Sequence, residues 1–168
     1  MGHVLYYRNN VKIFRYIEIS VKNISEKRGI KYMSKYLDDA KQLREITEVH
    51  YNCAQSVVVP FAEEAGISRD VAYKMASNFG GGMKRASVCG AITGGLMVLG
   101  LFGVDDAKTV AAYHVKLKEN HQQFLDCADL LRINKEKGME KKPHCDDMVY
   151  ECVRLVEDFL REKNLLRE

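Results

Sequence analysis

The cysteines decide which chemistry this sequence can carry. The chain has five of them, and no two form a CxxC pair. That absence excludes a simple thioredoxin-type dithiol and the usual zinc-ribbon spacing, and the absence of CxxCH excludes covalent haem attachment. The thiols are scattered over separate segments, so they can act together only if the fold gathers them: Cys53, Cys89, Cys127, Cys145 and Cys152.

Three of the cysteines are predicted to lie in the first turn of a helix. Their predicted starting residues precede them closely: Asn52 before Cys53, Ser87 before Cys89, and Pro143 before Cys145. Unpaired backbone N–H groups and the helix dipole stabilise a thiolate at such positions, which lowers the pKa of the thiol. A thiolate can attack a disulfide or ligate a metal. Cys127 and Cys152 fall inside predicted helices, where inert, buried cysteines are common.

The elements that must position these thiols are predicted to be helices. From Met33 onward, apolar residues recur at three- and four-residue spacing, which predicts an all-α, single-domain bundle of about six helices. With their caps, the predicted helices cover residues 36–46, 52–66, 68–75, 87–104, 105–133 and 143–165. Pro60 predicts a kink or break, and Gly66 a stop. Residues 134–142 are predicted to form a charged loop.

The most apolar segment, Val88–Val104, has no charged residue. It is shorter than the roughly 20 residues of a spanning helix, so we predict a buried core helix and no membrane insertion. Gly90 and Gly94 are four residues apart, as are Ala91 and Gly95, which leaves two nearly bare ridges. A helix of the same chain or of a homodimer mate can approach closely there. We include Gly90 and Gly94 among the candidate cofactor-binding residues.

The charge distribution bears on nucleic-acid binding, and the N-terminal segment bears on the compartment in which the protein works. The net charge is +3, but residues 1–32 carry seven Lys/Arg against two Glu, so residues 33–168 sum to −2. A nucleic-acid role therefore lacks its basic footprint. Residues 1–32 contain no signal-peptide pattern, and the cysteines suit a reducing compartment, so we expect a cytoplasmic protein.

Residues 1–32 are interpreted as an N-terminal extension to a helical domain at 33–168. The stretch Val11–Ile19 has a loose alternation compatible with a strand. Glu26–Gly29 can be encoded by a purine-rich run placed three codons before Met33, as a translated ribosome-binding site would be. Our hypothesis is that translation starts at Met33 and that the sequence as given begins too early.

Several stretches together match a known family pattern. They are Asn52-Cys53-Ala54-Gln55-Ser56-Val57, Phe79-Gly80-Gly81-Gly82-Met83 and Cys89-Gly90-Ala91-Ile92-Thr93-Gly94, followed by Cys127 and Cys145. Over residues 33 to 165 the chain resembles the C-GCAxxG-C-C family of proteins described as redox-active, whose CGAxxG motif is matched in full at 89–94. The context after Cys127 departs from the family pattern. Cys152 stands where a small apolar residue is expected, which predicts core packing.

The resemblance implies a redox or metal–thiolate role for Cys53, Cys89, Cys127 and Cys145. As ligands, the four suit a [2Fe–2S] or [4Fe–4S] cluster or a Cys₄ zinc site, without haem. This reading makes the chain an electron carrier whose redox partner the residues do not specify. Two alternatives stay open: a thiol–disulfide oxidoreductase without metal, and a helical interaction module whose cysteines only pack.

The histidines and the glycine run are weaker candidates for a functional site than the cysteines. His50 and His144 each lie near a cysteine, which would suit a Cys/His ligand set or nucleophile, but a surface histidine at a helix end is the commoner case. His114 and His121 have no partner in the pattern. The run Gly80–Gly82 lacks the GxxxxGK[ST] motif and a preceding strand, so it is not interpreted as a phosphate loop.

Overall fold

The computed structural model describes residues 34–167, and within that range the chain is helical. Its α-helices, in chain order, are α1 Lys35–Glu45, α2 Cys53–Val58, α3 Arg69–Ala76, α4 Gly90–Leu101, α5 Ala107–Asn120, α6 Cys127–Glu136 and α7 Lys141–Glu162. No strand forms there, so the all-α prediction is confirmed, with one helix more than expected. The predictions for residues 1–32, including the strand at Val11–Ile19, and the start at Met33 lie outside the described residues.

Short polar side chains set two helix starts as the sequence predicts. The Asn52 side chain accepts a hydrogen bond from the Gln55 N–H at 3.0 Å, and Gln55 Oε1 accepts from the Asn52 N–H at 2.8 Å. This reciprocal pair is a capping box. Ser68 Oγ likewise accepts from the Val71 N–H at 3.2 Å at the start of α3. These caps satisfy N–H groups that the first helical turn leaves unpaired.

The kink predicted at Pro60 is present. The α-helical bonding of α2 gives way to a 3₁₀ turn at Val59–Phe61, because proline lacks the N–H that the α-helical ladder needs. Gly66 then adopts a φ of 78°, the left-handed backbone that ends a helical segment with little strain at glycine.

The prediction of one long helix over residues 105–133 is wrong. Helix α5 ends at Asn120, and α6 begins at Cys127. Between them, Gln122 and Gln123 have positive φ values of 53° and 72°. Glutamine rarely adopts this conformation, so no local residue type signals the break. As a result, Cys127 is the first residue of a helix and not an interior one.

Two other helix starts differ from prediction by two residues. The N-cap of α4 is Cys89 and not Ser87. Helix α7 begins at Lys141, which makes Pro143 its third residue and Cys145 its fifth. Cys145 therefore lies in the second turn of α7. The predicted loop at 134–142 shrinks to the four residues between α6 and α7.

Helix α4 lies in the centre of the core because its small residues let neighbouring helices approach. A β-carbon on Gly94 would lie 2.9 Å from the Ala54 carbonyl oxygen of α2. A β-carbon on Gly95 would collide with the Tyr113 hydroxyl of α5, which donates to the Ile92 carbonyl at 3.2 Å. Both glycine ridges are thus filled from within the chain.

The apolar stripe of α7 covers the core beside α4. Its buried members are Met148, Val149, Cys152, Val153, Val156, Phe159 and Leu160. Cys152 is fully buried and packs in the core as predicted. None of the helices at 34–167 is both long and apolar enough to span a bilayer.

Candidate functional site

The four cysteines predicted to act together surround one small cavity. Its lining contains all four, contributed by the starts of α2, α4 and α6 and by the second turn of α7: Cys53, Cys89, Cys127 and Cys145. Gly81, Gly90, His144 and three apolar side chains complete the lining. Cys152 does not line it. All five cysteines are free thiols.

The start of α2 is fixed against the loop that follows α3. The Asn52 amide donates to the Ser77 carbonyl at 3.0 Å, in addition to capping α2. Gly80 packs directly on Asn52, where a β-carbon would lie 2.5 Å from Asn52 Cβ. These contacts hold Cys53, the first residue of α2, next to the Gly81 backbone.

Gly90 and Gly94 of the CGAxxG motif bring α4 onto α2. A β-carbon on Gly90 would lie 2.7 Å from the Phe79 carbonyl oxygen and 3.4 Å from Cys53 Cβ. Gly90 lines the four-cysteine cavity, whereas Gly94 packs on Ala54 one turn further along. Their geometry is that of close helix packing, and direct contact with a cofactor stays a prediction.

The segments before α4 and α6 are joined by an isolated antiparallel β-bridge between Val88 and Asp126, next to Cys89 and Cys127. The Cys89 N–H donates to the Leu125 carbonyl at 2.9 Å, and the Cys127 N–H donates to the Ser87 carbonyl at 2.8 Å. These bonds tie the residues before α4 to those before α6. The break between α5 and α6 therefore has a structural use, because it brings Cys127 to the N-terminal end of α4.

Cys53 and Cys145 are neighbouring thiols on the wall of the small cavity. Donation from the Cys145 thiol is the largest effect that lowers the pKa of Cys53 to about 6, because it stabilises the thiolate. The positive charge of Arg44 and the N–H groups of Cys53 and Gly81 act in the same direction, against burial. The same contact raises the pKa of Cys145 far above its ordinary value. At neutral pH, Cys53 is the thiolate and Cys145 keeps its proton.

Arg44 is a site residue that the sequence did not indicate. Its Nε lies 2.6 Å from Asp146 Oδ1, and its Nη1 donates to the Tyr51 carbonyl at 2.8 Å. Only 8% of the Arg44 side chain is exposed. Arg44 and Asp146 are far apart in the chain, so no local pattern could have revealed the pair.

Cys89 and Cys127 differ from Cys53 in being protonated at neutral pH. Burial raises the pKa of Cys89 to about 12, although the N–H groups of Ala91 and Ile92 act the other way. Burial also raises the pKa of Cys127, and the charge of Lys141 opposes it. A helix start alone therefore does not produce a thiolate in this protein, because desolvation is the larger effect at both residues.

A cleft of about 1080 Å³ opens onto three of the four cysteines, Cys53, Cys127 and Cys145. Its walls include the aromatic pair Tyr51 and Tyr73, whose rings meet edge to face at 5.2 Å. Cys89 does not line the cleft. A molecule that enters can therefore reach the Cys53 thiolate and the Cys145 thiol, while Cys89 stays behind them.

The cysteines have the donor chemistry of a metal site, but their arrangement does not form a ligand set. Across the described range, no three His, Cys, Asp or Glu side chains are grouped so that they could hold a metal ion. The cavity that the four cysteines share measures about 10 Å³, which is about the space of one water. An iron–sulfur cluster needs considerably more room, so the four chain segments would have to move apart.

The histidines have separate surroundings. His144 lines the four-cysteine cavity, and burial lowers its pKa. His50 lines the larger cleft. His121 Nε2 lies 2.5 Å from Glu151 Oε2, a partner that the sequence pattern did not reveal. Burial also lowers the pKa of His114.

Comparison with known proteins yields one match. A family model described as "Putative redox-active protein (C_GCAxxG_C_C)" matches residues 51–159, which is more than half of the chain and includes all five cysteines. No curated protein and no solved structure matches the chain.

Proposed function

Since the chain belongs to the C_GCAxxG_C_C family, we propose that it is a thiol–disulfide redox protein in which Cys53 and Cys145 alternate between dithiol and disulfide. One observation carries the proposal. The two thiols are neighbours on the wall of one small cavity, both face an open cleft, and their contact favours the thiolate of Cys53 over that of Cys145. A nucleophile beside a resolving thiol is the arrangement that disulfide exchange requires.

The proposed reaction begins with the Cys53 thiolate, which attacks one sulfur of a substrate disulfide. The new S–S bond joins Cys53 to that sulfur, and the other substrate sulfur leaves as a thiolate with the electron pair of the broken bond. Cys145 then gives its proton to the substrate thiolate that has left and attacks the sulfur of Cys53. The second substrate thiolate departs, which leaves a Cys53–Cys145 disulfide and a substrate reduced by two electrons. An external dithiol reverses these steps and restores the starting state.

Arg44 and the backbone N–H of Gly81 favour the attacking form of Cys53. The pKa of about 6 also suits catalysis near neutral pH, because an attacking thiol is most effective when its pKa is near the ambient pH. Cys89 is buried, is protonated and does not line the cleft. We therefore assign the exchange to the Cys53–Cys145 pair and a supporting, packing role to Cys89.

The experiment is to trap the mixed disulfide. Cys145→Ser removes the resolving thiol, so Cys53 should accumulate as an adduct with hydroxyethyl disulfide, detected by mass spectrometry of the Cys53 peptide. Cys89→Ser is the matched control and should pass through the adduct without accumulating it. An adduct on Cys89 or Cys127, or equal amounts in both variants, would contradict the assignment.

A metal–thiolate centre is the second candidate, and one observation favours it. All four family cysteines line a single cavity, as ligands of an iron–sulfur cluster or a Cys₄ zinc site would. Anaerobic reconstitution with iron and sulfide tests this candidate, with zinc in a parallel sample. Stoichiometric metal retained by the wild type, and lost in each single Cys→Ser variant, would favour the centre. Iron-free, colourless protein that still forms the mixed disulfide would favour the dithiol.

A further inference from the structure

The cleft in front of the thiol pair is basic. Its lining residues include one carboxylate, Glu45, and four cationic side chains, which are Arg44, Lys84, Lys141 and Lys142. Residues 33–168 as a whole have no such excess of positive charge, since their formal charges sum to −2. The positive charge is therefore concentrated at the approach to Cys53.

Two of these cations share a single carboxylate, Asp146, that lies outside the cleft lining. Asp146 binds Arg44 at 2.6 Å and Lys142 at 2.7 Å. The charges of the other two are not compensated in this way. Lys84 Nζ donates to the neutral amide oxygen of Asn78 at 2.8 Å, and Lys141 makes no salt bridge within residues 34–167. Lys84 and Lys141 can therefore receive an anionic ligand without breaking an ion pair.

The size and walls of the cleft indicate what kind of anion fits. Its volume of about 1080 Å³ is just above the roughly 300–1,000 Å³ typical of ligand pockets, which suits a peptide-sized molecule. Tyr51 and Tyr73 supply an aromatic wall, as such pockets commonly have. The cleft also ends at thiols, so the useful ligand is one that carries sulfur.

We propose that this cleft selects a peptide-sized disulfide that carries carboxylates, which Lys84 and Lys141 bind while the substrate sulfur meets Cys53. The inference rests on the proposed dithiol function and adds the substrate class to it. In the exchange, the S–S bond of the substrate breaks as the bond to Cys53 forms. The leaving sulfur departs as a thiolate, and the same lysines stabilise its negative charge as that charge develops.

The test compares three small disulfides of similar length. They are dithiodipropionate, which is dianionic, hydroxyethyl disulfide, which is neutral, and cystamine, which is dicationic. Second-order rate constants with reduced wild-type protein are measured at pH 7 and low ionic strength. Each is divided by the rate constant of free mercaptoethanol with the same disulfide, which removes the intrinsic reactivity of the probe. The normalised rate constant for dithiodipropionate should exceed that for cystamine by about tenfold or more.

Variants then locate the source of the selectivity. The double variant Lys84→Gln with Lys141→Gln should lower the ratio of the dithiodipropionate to the cystamine rate constant several-fold. Lys108→Gln is the matched control and should leave the ratio unchanged, because Lys108 is exposed beyond the C-terminal end of α4, opposite Cys89. Salt offers a check without variants. Raising the ionic strength from about 0.01 M to about 1 M should bring the wild-type ratio toward one, since the Debye length shortens from about 30 Å to about 3 Å.

The outcomes separate the two claims. Equal normalised rates for the three probes, or a ratio that neither the double variant nor salt changes, would overturn the anionic-substrate inference while the dithiol function stands. A failure of Cys53 to react with hydroxyethyl disulfide would overturn the dithiol function itself, and this inference with it.

Discussion

Arg44 and Asp146 form an ion pair that links α1 to α7 beside the thiol pair. The Arg44 Nε lies 2.6 Å from Asp146 Oδ1, and only 8% and 14% of the two side chains are exposed. Asp146 directly follows Cys145 in the chain, and the charge of Arg44 lowers the pKa of Cys53. The ion pair therefore has two effects. It holds the residue next to the Cys145 thiol, and its arginine favours the thiolate of Cys53.

The substitution Arg44→Met tests how the charge of Arg44 affects the pKa of Cys53 and how the ion pair affects stability. Loss of the positive charge should raise the pKa of Cys53 by about one unit. Asp146 would keep only Lys142 as its partner, so the free energy of unfolding should fall by roughly 2–4 kcal/mol. The pH dependence of Cys53 alkylation and urea unfolding measure the two effects. Arg44→Lys is the conservative control, because it keeps the charge and should keep the low pKa. If Arg44→Met left the alkylation profile unchanged, Arg44 would have no electrostatic role at Cys53.

Cys145→Ala should change the pH profile of Cys53 more than any other substitution of a cysteine. In the wild type, alkylation of Cys53 by iodoacetamide should fall as the pH drops through about 6, because only the thiolate reacts. Removing the Cys145 thiol removes the largest effect that lowers this pKa, so the midpoint should move up toward the ordinary thiol value of 9.0. Cys89→Ala should leave the midpoint near 6. Peptide-resolved mass spectrometry follows Cys53 alone, and a midpoint near 9.0 in the wild type would refute the assignment of the thiolate.

Stability should depend on pH through the same group. Between pH 6 and pH 9, the folded chain binds fewer protons at Cys53 than the unfolded chain, because the folded pKa is lower than the ordinary thiol value of 9.0. Stability therefore rises with pH in this window, and the contribution is lost as the pH falls through about 6. Urea unfolding of the wild type and of Cys53→Ser across the window gives the difference. A difference that does not increase with pH would show that the thiolate is not favoured by folding.

The glycines of α4 give a prediction about packing. Gly90→Ala should lower the free energy of unfolding by about 1–3 kcal/mol, because its β-carbon would lie 2.7 Å from the Phe79 carbonyl oxygen and would force α4 away from α2. Gly100 lies in the same helix with no atom within 4 Å of a β-carbon. Gly100→Ala should therefore raise the free energy of unfolding by about 0.5–1 kcal/mol. Denaturant unfolding of both variants checks the contrast, and equal effects would contradict this account of the motif.

The helical class and several element boundaries could be predicted from local signals. Asn52 and Ser68 are strong caps, and a proline beyond the first turn, such as Pro60, interrupts the α-helix, so these features need no knowledge of the rest of the fold. Cys89 could be proposed as a site residue because the motif at 89–94 is continuous in sequence, whereas Cys53, Cys127 and Cys145 were proposed from the wider resemblance to the family. Their meeting around one cavity was only a hypothesis, since it depends on the tertiary arrangement of four chain segments.

The features that the sequence did not predict have tertiary causes. The break after α5 depends on positive φ values at Gln122 and Gln123, which no turn-forming residue signals. Backbone bonds to the segment before α4 stabilise that break, and they connect residues distant in sequence. For the same reason, local reasoning wrongly assigned Cys127 to a helix interior. The low pKa of Cys53 was expected from its helix start, but its largest cause is Cys145, far along the chain.

The most direct test of the central claim is to map the disulfide that forms under mild oxidation. The reduced protein is equilibrated in glutathione buffers of increasing potential, blocked with an alkylating agent and digested without reduction. Our account predicts that the first disulfide joins the Cys53 peptide to the Cys145 peptide and that Cys89 and Cys152 stay alkylatable after unfolding. A first disulfide between Cys89 and Cys127, or no intramolecular disulfide at potentials that oxidise ordinary dithiols, would contradict it.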